Sequence, residues 1–202
     1  MKKYIKCARG YNPEYAFSPN PETRIRYAQN VTDPDAMLVY AYDPNKDVRL
    51  NLAYNPALTQ ECAEILANDE DWGVRYAVAC IYHQLSDSMI STLMTDDQYE
   101  VREGLATNRT TPADVLRALS EDKSAMVRAA IAYNPNTPVD VLKTLAHTSW
   151  ETGVVINLID NPNTPTDVLR KFLSRDYHFE SGYGGSCRRK IRKILKSRGT
   201  NA

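Results

Sequence analysis

The sequence has no apolar run approaching the ~20 residues that a membrane-spanning helix needs. Its N-terminus, MKKYIKCARGYNP, turns polar at once, without the apolar segment of a signal peptide. A soluble, unexported, cytoplasmic protein without a membrane role is expected. Cys7, Cys62, Cys80 and Cys187 are scattered, with no C-x-x-C, and His83, His147 and His178 are isolated from them and from one another. That pattern suits reduced thiols used as small core residues and gives no metal or iron–sulfur ligand set. No G-K-[ST] follows the Gly-Tyr-Gly-Gly segment at 182–185, so it does not match a phosphate-binding loop. Without a nucleophile–base pair, metal set or phosphate loop, the expectation is a protein that is not an enzyme and has no cofactor and no small-molecule substrate. Net charge is also missing, because 25 Lys and Arg offset 25 Asp and Glu. Bulk charge therefore selects no partner, although its distribution along the chain can.

What is present is a repeat. Val-Arg occurs at Val48-Arg49, Val74-Arg75, Val101-Arg102 and Val127-Arg128, with a degenerate Val154-Val155 after them, so the period alternates between 26 and 27 residues. Periods of that size mean stacked supersecondary units. Counting from each Val, the eighth residue is Asn55, Ile81, Asn108, Asn134 and Asn161, with Pro following at Pro56, Pro135 and Pro162. Three units then read TPADVLRAL, TPVDVLKTL and TPTDVLRKF.

Each column has a physical role. Thr111, Thr137 and Thr164 suit an N-cap, Pro112, Pro138 and Pro165 the first helical position, and Asp114, Asp140 and Asp167 the third. Glu61 and Asp87 continue that acidic column. Val115, Leu116 and Leu119 and their counterparts give the buried stripe of a second helix. The first helix starts near Val-Arg and ends before the Asn, buries pairs such as Val74 and Val78, and carries small residues, among them Gly104 and Ala130, where neighbours must approach closely. Helices of about 8–10 residues are too short to be stable alone, so stability must come from stacking.

The unit V-R-x-x-[LI]-A-x-N-P-x-T-P-x-D-V-L-x-x-L, as it stands over 101–119 and 127–145, resembles the leucine-rich repeat variant family, a relative of the HEAT-like helical repeats. The resemblance covers roughly residues 20–175 and implies an all-α, right-handed α-solenoid, a superhelix of helical pairs of about 26 residues. It also implies a protein-binding scaffold, although one HEAT-like branch, the alkylpurine DNA glycosylases, binds DNA. The family's founding member carries a cysteine-rich iron–sulfur segment, whereas this sequence has only Cys7 there. The expected organisation is a repeat array over 1–175, irregular over 1–47 and regular over 48–175. A Gly/aromatic loop over 176–186 follows, then a basic C-terminal capping helix and tail over 187–202.

The expected function is a non-enzymatic scaffold, adaptor or inhibitor with a protein partner. The alternative is a nucleic-acid-binding protein using the basic C-terminal half, and a HEAT-like DNA glycosylase is third. Arg49, Arg75, Arg102 and Arg128, with acids such as Asp47, Asp69, Asp96 and Asp122 in the preceding turns, suggest an inter-unit ladder. Trp72, Trp150 and Tyr99 fall just before units begin and are expected to pack between them. The second-helix column Glu64, Ile90, Arg117, Lys143 and Arg170 changes from unit to unit and is expected to be exposed. It turns basic towards the C-terminus, with Lys171 beside it. Arg188, Arg189, Lys190, Arg192, Lys193, Lys196 and Arg198 continue that trend without an acid, while Cys187, Ile191, Ile194 and Leu195 form an apolar stripe. The candidate partner-binding residues are thus Arg117, Lys143, Arg170, Lys171, Arg188, Arg189, Lys190, Arg192, Lys193 and Lys196. Against a nucleic acid stands the 51–100 block, where Arg75 is the only basic residue among nine acids.

Overall fold

In the computed structural model, the described residues are 17–149, 151–174 and 184–200. They contain thirteen helices and no strand. Twelve helices have 7–10 residues, and the last has 14. None is long and apolar enough to cross a membrane. The chain divides into two compact units, Met1–Thr110 and Thr111–Ala202.

The first unit holds α1 (Pro21–Ala28), α2 (Pro34–Ala41), α3 (Lys46–Ala53), α4 (Gln60–Leu66), α5 (Trp72–Ile81), α6 (Asp87–Met94) and α7 (Tyr99–Thr107). Odd-numbered helices pack on one another in sequence, α1 on α3, α3 on α5 and α5 on α7, while α2 meets α3 and α4, and α6 meets α7. The second unit holds α8 (Ala113–Leu119), α9 (Ala125–Tyr133), α10 (Val139–Thr148), α11 (Thr152–Asp160), α12 (Thr166–Leu173) and α13 (Gly184–Ser197). There α9 packs on α11, α11 on α13 and α12 on α13. Within each unit the odd-numbered helices thus meet the next but one, a pattern consistent with a helical repeat. The core follows the sequence pattern: Val48, Leu52, Val74, Val78, Val101, Leu105, Leu116 and Leu142 are all fully buried.

The helix starts differ from the expectation. Thr111, Thr137 and Thr164 stand one residue outside the second helices, whose N-caps are Pro112, Pro138 and Pro165 and carry no side-chain capping bond. Asp114, Asp140 and Asp167 are therefore second in their helices. The three threonines are buried, and the Thr137 hydroxyl donates to the Ile131 carbonyl at 2.6 Å. It adds a second donor to a carbonyl at the end of α9, which also takes the Asn134 N–H at 3.2 Å, instead of capping a donor at the start of α10. Side-chain caps do occur at the same point of earlier repeats, from Asp33, Thr59 and Ser86.

The C-terminal helix begins at Gly184, so Gly184 and Gly185 form its first turn instead of belonging to the loop expected over 176–186. It ends on Gly199 with φ of 68°, a left-handed residue after which the Thr200 N–H returns to the Leu195 carbonyl at 3.0 Å. Cys7, Trp150 and the aromatics Tyr177, His178, Phe179 and Tyr183 of the Gly/aromatic loop lie outside the described residues.

Candidate interaction surface

The first helices are tied by a two-sided arginine ladder. Each arginine donates from Nη1 to the carbonyl six residues before it: Arg24 to Ser18 at 2.7 Å, Arg49 to Asp43 at 2.7 Å, Arg75 to Asp69 at 2.6 Å, Arg102 to Asp96 at 2.6 Å and Arg128 to Asp122 at 2.6 Å. The rest of the guanidinium reaches forward to the next turn. Arg24 pairs with Asp43 at 2.7 Å, Arg49 with Asp69 at 2.6 Å, Arg75 with Asp96 at 2.6 Å and Arg128 with Glu151. One aspartate therefore takes an arginine on its carboxylate and the following arginine on its carbonyl. The hydrogen bond that Arg49 donates to Asp69, less the effect of burial, raises its already high pKa, and the bond to Asp96 does the same for Arg75. Burial pushes Asp96 up, but the Arg75 hydrogen bond and the Gln98 N–H more than offset it and hold its carboxyl below the usual range. Two features escaped the sequence reading: the first rung, in which Arg24 is the arginine and Asp43, not Asp47, is the acid of that turn, and the Glu151 end of the last.

A second ladder is made of asparagine amides. Asn55 donates to the carbonyls of Ala28 at 2.9 Å and Val31 at 2.8 Å, Asn108 to Ala79 and Tyr82 at 2.8 Å each, and Asn161 to Ala132 at 2.8 Å and Asn134 at 2.9 Å. The asparagine oxygen meanwhile accepts a backbone N–H two residues on, as in Asn108 with Thr110 at 2.9 Å. The sequence marks these residues as helix stops, and the structure adds that each bridges to the preceding unit.

The basic candidates separate into paired and open sets. Arg117 reaches Asp140 at 2.9 Å and Lys143 reaches Asp167 at 3.5 Å, so the basic column of one second helix meets the acidic column of the next. Lys171 donates to the Ala146 carbonyl at 3.1 Å and lies 3.0 Å from His147 Nδ1. Lys190 pairs with Asp160, and Arg198 is held by the carbonyls of Thr164 at 2.5 Å and Pro162 at 2.7 Å. Arg170 is exposed, and Arg188 is half-buried beside the buried face of Cys187, Ile191 and Leu195. Arg189, Arg192, Lys193 and Lys196 are exposed and have no partner among the described residues. Their i, i+3, i+4, i+7 spacing puts them on one face of α13.

Two expectations about exposure are corrected. Ile90 shares the variable column but is only 8% exposed, because α6 turns that position into its packed face. Trp72 and Tyr99 do not lie in loops: they are the first residues of α5 and α7, at 46% and 40% exposure, so packing between units covers them only in part. Tyr42, Tyr54 and Tyr133 are further exposed aromatics. No group of three or more His, Cys, Asp or Glu among the described residues could hold a metal ion.

Comparison with protein-family models, with curated proteins and with solved structures returned no match. The geometry of the chain defines an all-α protein of short helices packed in sequence.

Proposed function

We propose that the chain is a non-enzymatic, cytoplasmic scaffold, adaptor or inhibitor that binds another protein through its repeat surface. In this reading it is built as a right-handed α-solenoid of the HEAT-like, leucine-rich repeat variant type. The observation that carries the reading is the closure of Arg117 on Asp140 and of Lys143 on Asp167. Cations that a phosphate backbone would need are thereby spent on neighbouring helices, while Trp72, Tyr99, Tyr54 and Tyr42 stay exposed. Exposed aromatics on a rigid frame are the usual anchors of protein interfaces. Affinity capture from the native host, with nuclease treatment and in parallel with a Trp72→Ser, Tyr99→Ser double variant, tests it. Retention of a stoichiometric protein by the wild type and its loss by the folded variant is expected; a capture that disappears with nuclease contradicts it.

The second reading rests on the open face of α13. Arg189, Arg192, Lys193 and Lys196 form a cationic stripe with no acid on that helix, the arrangement that phosphate contacts use.

A further inference from the structure

The asparagine ladder has one gap. At most junctions an amide on the later helix end bridges two carbonyls at the end of the helix before it. Between α3 and α5 it does not. Helix α5 has 10 residues where α7, α9 and α11 have nine, so Ile81 is still helical and the C-cap passes to Tyr82. Tyr82, at φ −69° and ψ 128°, copies the backbone of Asn108 at −64° and 124° and of Asn161 at −69° and 124°. A tyrosine cannot supply the bridging amide. Its hydroxyl donates instead to Gln60 Oε1 at 2.9 Å, while among the described residues the Ala53 carbonyl receives no donor and that of Asn55 takes only the Leu58 N–H at 3.0 Å.

A groove of about 510 Å³ opens at this junction, lined among others by Ala53, Tyr54, Asn55, Gln60 and Tyr82. Its surroundings are negative. Glu61 and Glu64 are exposed on α4, whose first residue is Gln60, and neither has a cationic partner among the described residues. The Glu64 carboxylate accepts from the neutral Gln60 amide at 2.9 Å. Arg75, the single basic residue of 51–100, is held by Asp96 and by the Asp69 carbonyl.

We propose that this groove is a slot for an arginine side chain of a basic, extended segment of the partner protein. The proposal rests on the protein-binding reading above. A guanidinium offers adjacent N–H donors in one plane, which replaces the missing amide at the unused carbonyl. Its flat face stacks on a tyrosine ring, and its charge is complementary to the carboxylates of α4. Lysine lacks the planar fork, and an amide lacks the charge.

The test uses the full chain and blocked tripeptides, acetyl-Gly-Arg-Gly-amide and its lysine and citrulline counterparts, titrated while backbone amide chemical shifts are recorded. Saturable shifts confined to the Ala53, Tyr54 and Tyr82 region are expected, with the arginine peptide at least tenfold tighter than the neutral citrulline isostere. Tyr82→Asn places an amide at the C-cap and is expected to weaken the arginine peptide at least tenfold. Tyr54→Ser, at an exposed position, is expected to weaken it at least threefold and keeps the test open if Tyr82→Asn fails to fold. Shifts spread over the acidic surface, equal binding of citrulline, or indifference to the folded variants overturns the slot. If the peptides fail while nuclease-resistant capture persists, the slot is wrong and the protein-binding reading stands. Failure of both removes both.

Discussion

Arg75 grips Asp96 with both arms of its guanidinium, Nε to Oδ2 at 2.6 Å and Nη2 to Oδ1 at 3.0 Å, and the pair is largely buried. The same arginine fastens the Asp69 carbonyl at 2.6 Å, so it joins consecutive turns of the repeat. Arg75→Met should therefore cost about 3 kcal/mol, because it strands a buried carboxylate that has lost its counter-charge. Urea denaturation checks this. A loss below about 0.5 kcal/mol, the value for a surface pair, would show that the ladder does not hold the units together.

At Gly104, α7 presses close on α5. A Cβ there would stand 3.0 Å from Tyr76 Cδ2 and 3.2 Å from the Tyr76 carbonyl oxygen, and a backbone oxygen cannot retreat without moving its helix. Helix propensity favours alanine by about 1 kcal/mol, but overpacking of this kind costs about 1–3 kcal/mol. Gly104→Ala should lower the melting temperature, and a rise would mean that α5 and α7 are further apart. The Tyr76 phenol, pushed up to about 12 by burial and by Cys80 beside it, reports the same contact in a spectrophotometric titration.

Asn108 carries two bonds from one amide nitrogen, one buried and one part-buried. Asn108→Ala leaves the carbonyls of Ala79 and Tyr82 without that donor and should cost about 2 kcal/mol, against a few tenths for an exposed asparagine. Comparable melting curves for Asn108→Ala and for Asn68→Ala, at an exposed asparagine, would contradict the amide bridge.

Glu103 should impose a pH dependence opposite to that of the ladder acids. Burial, with the Glu100 carboxylate near it, pushes the Glu103 carboxyl up in the folded protein. Its folded-state pKa lies above the unfolded value of about 4.3, so its favourable contribution is full below that pH and is lost as pH rises through the folded value. Glu103→Gln should match the wild type near pH 4 and be the more stable at pH 7. Asp96 works the other way: its depressed pKa gives stability above about pH 3.9 that is lost as pH falls through the folded value. Chemical denaturation of both proteins from pH 3 to 8 checks the sign, and a Glu103→Gln advantage confined to acid would reverse it.

Much of the frame was legible in the sequence because its causes are local. The Val and Leu columns, the short helices and the small residue at Gly104 follow from periodicity and side-chain size, and the structure buries them. The partners of polar side chains were less legible, because a rung such as Arg49 to Asp69 spans 20 residues and depends on how neighbouring turns face each other. Thr137 looks like a helix cap by its place before Pro138, and only the nearness of the α9 terminus turns its hydroxyl to Ile131. Counting from Val74 puts Ile81 in the asparagine column, while one extra helical residue hands that place to Tyr82. Arg117 and Lys143 read as open cations in a linear sequence. Folding sets each beside the aspartate of the next second helix.

The most direct test of a protein-binding scaffold against a nucleic-acid-binding one is a titration of labelled single- and double-stranded nucleic acid at 50 and 200 mM salt. The wild type is compared with a variant in which Arg189, Arg192, Lys193 and Lys196 are replaced by Gln. With Arg117 and Lys143 paired internally, at most weak binding at 50 mM salt is expected, absent at 200 mM, and the variant should keep its fold. Tight binding that survives 200 mM salt, falls with the steep log–log slope of several phosphate contacts and vanishes in the folded variant would contradict the protein-binding reading and make α13 a nucleic-acid interface.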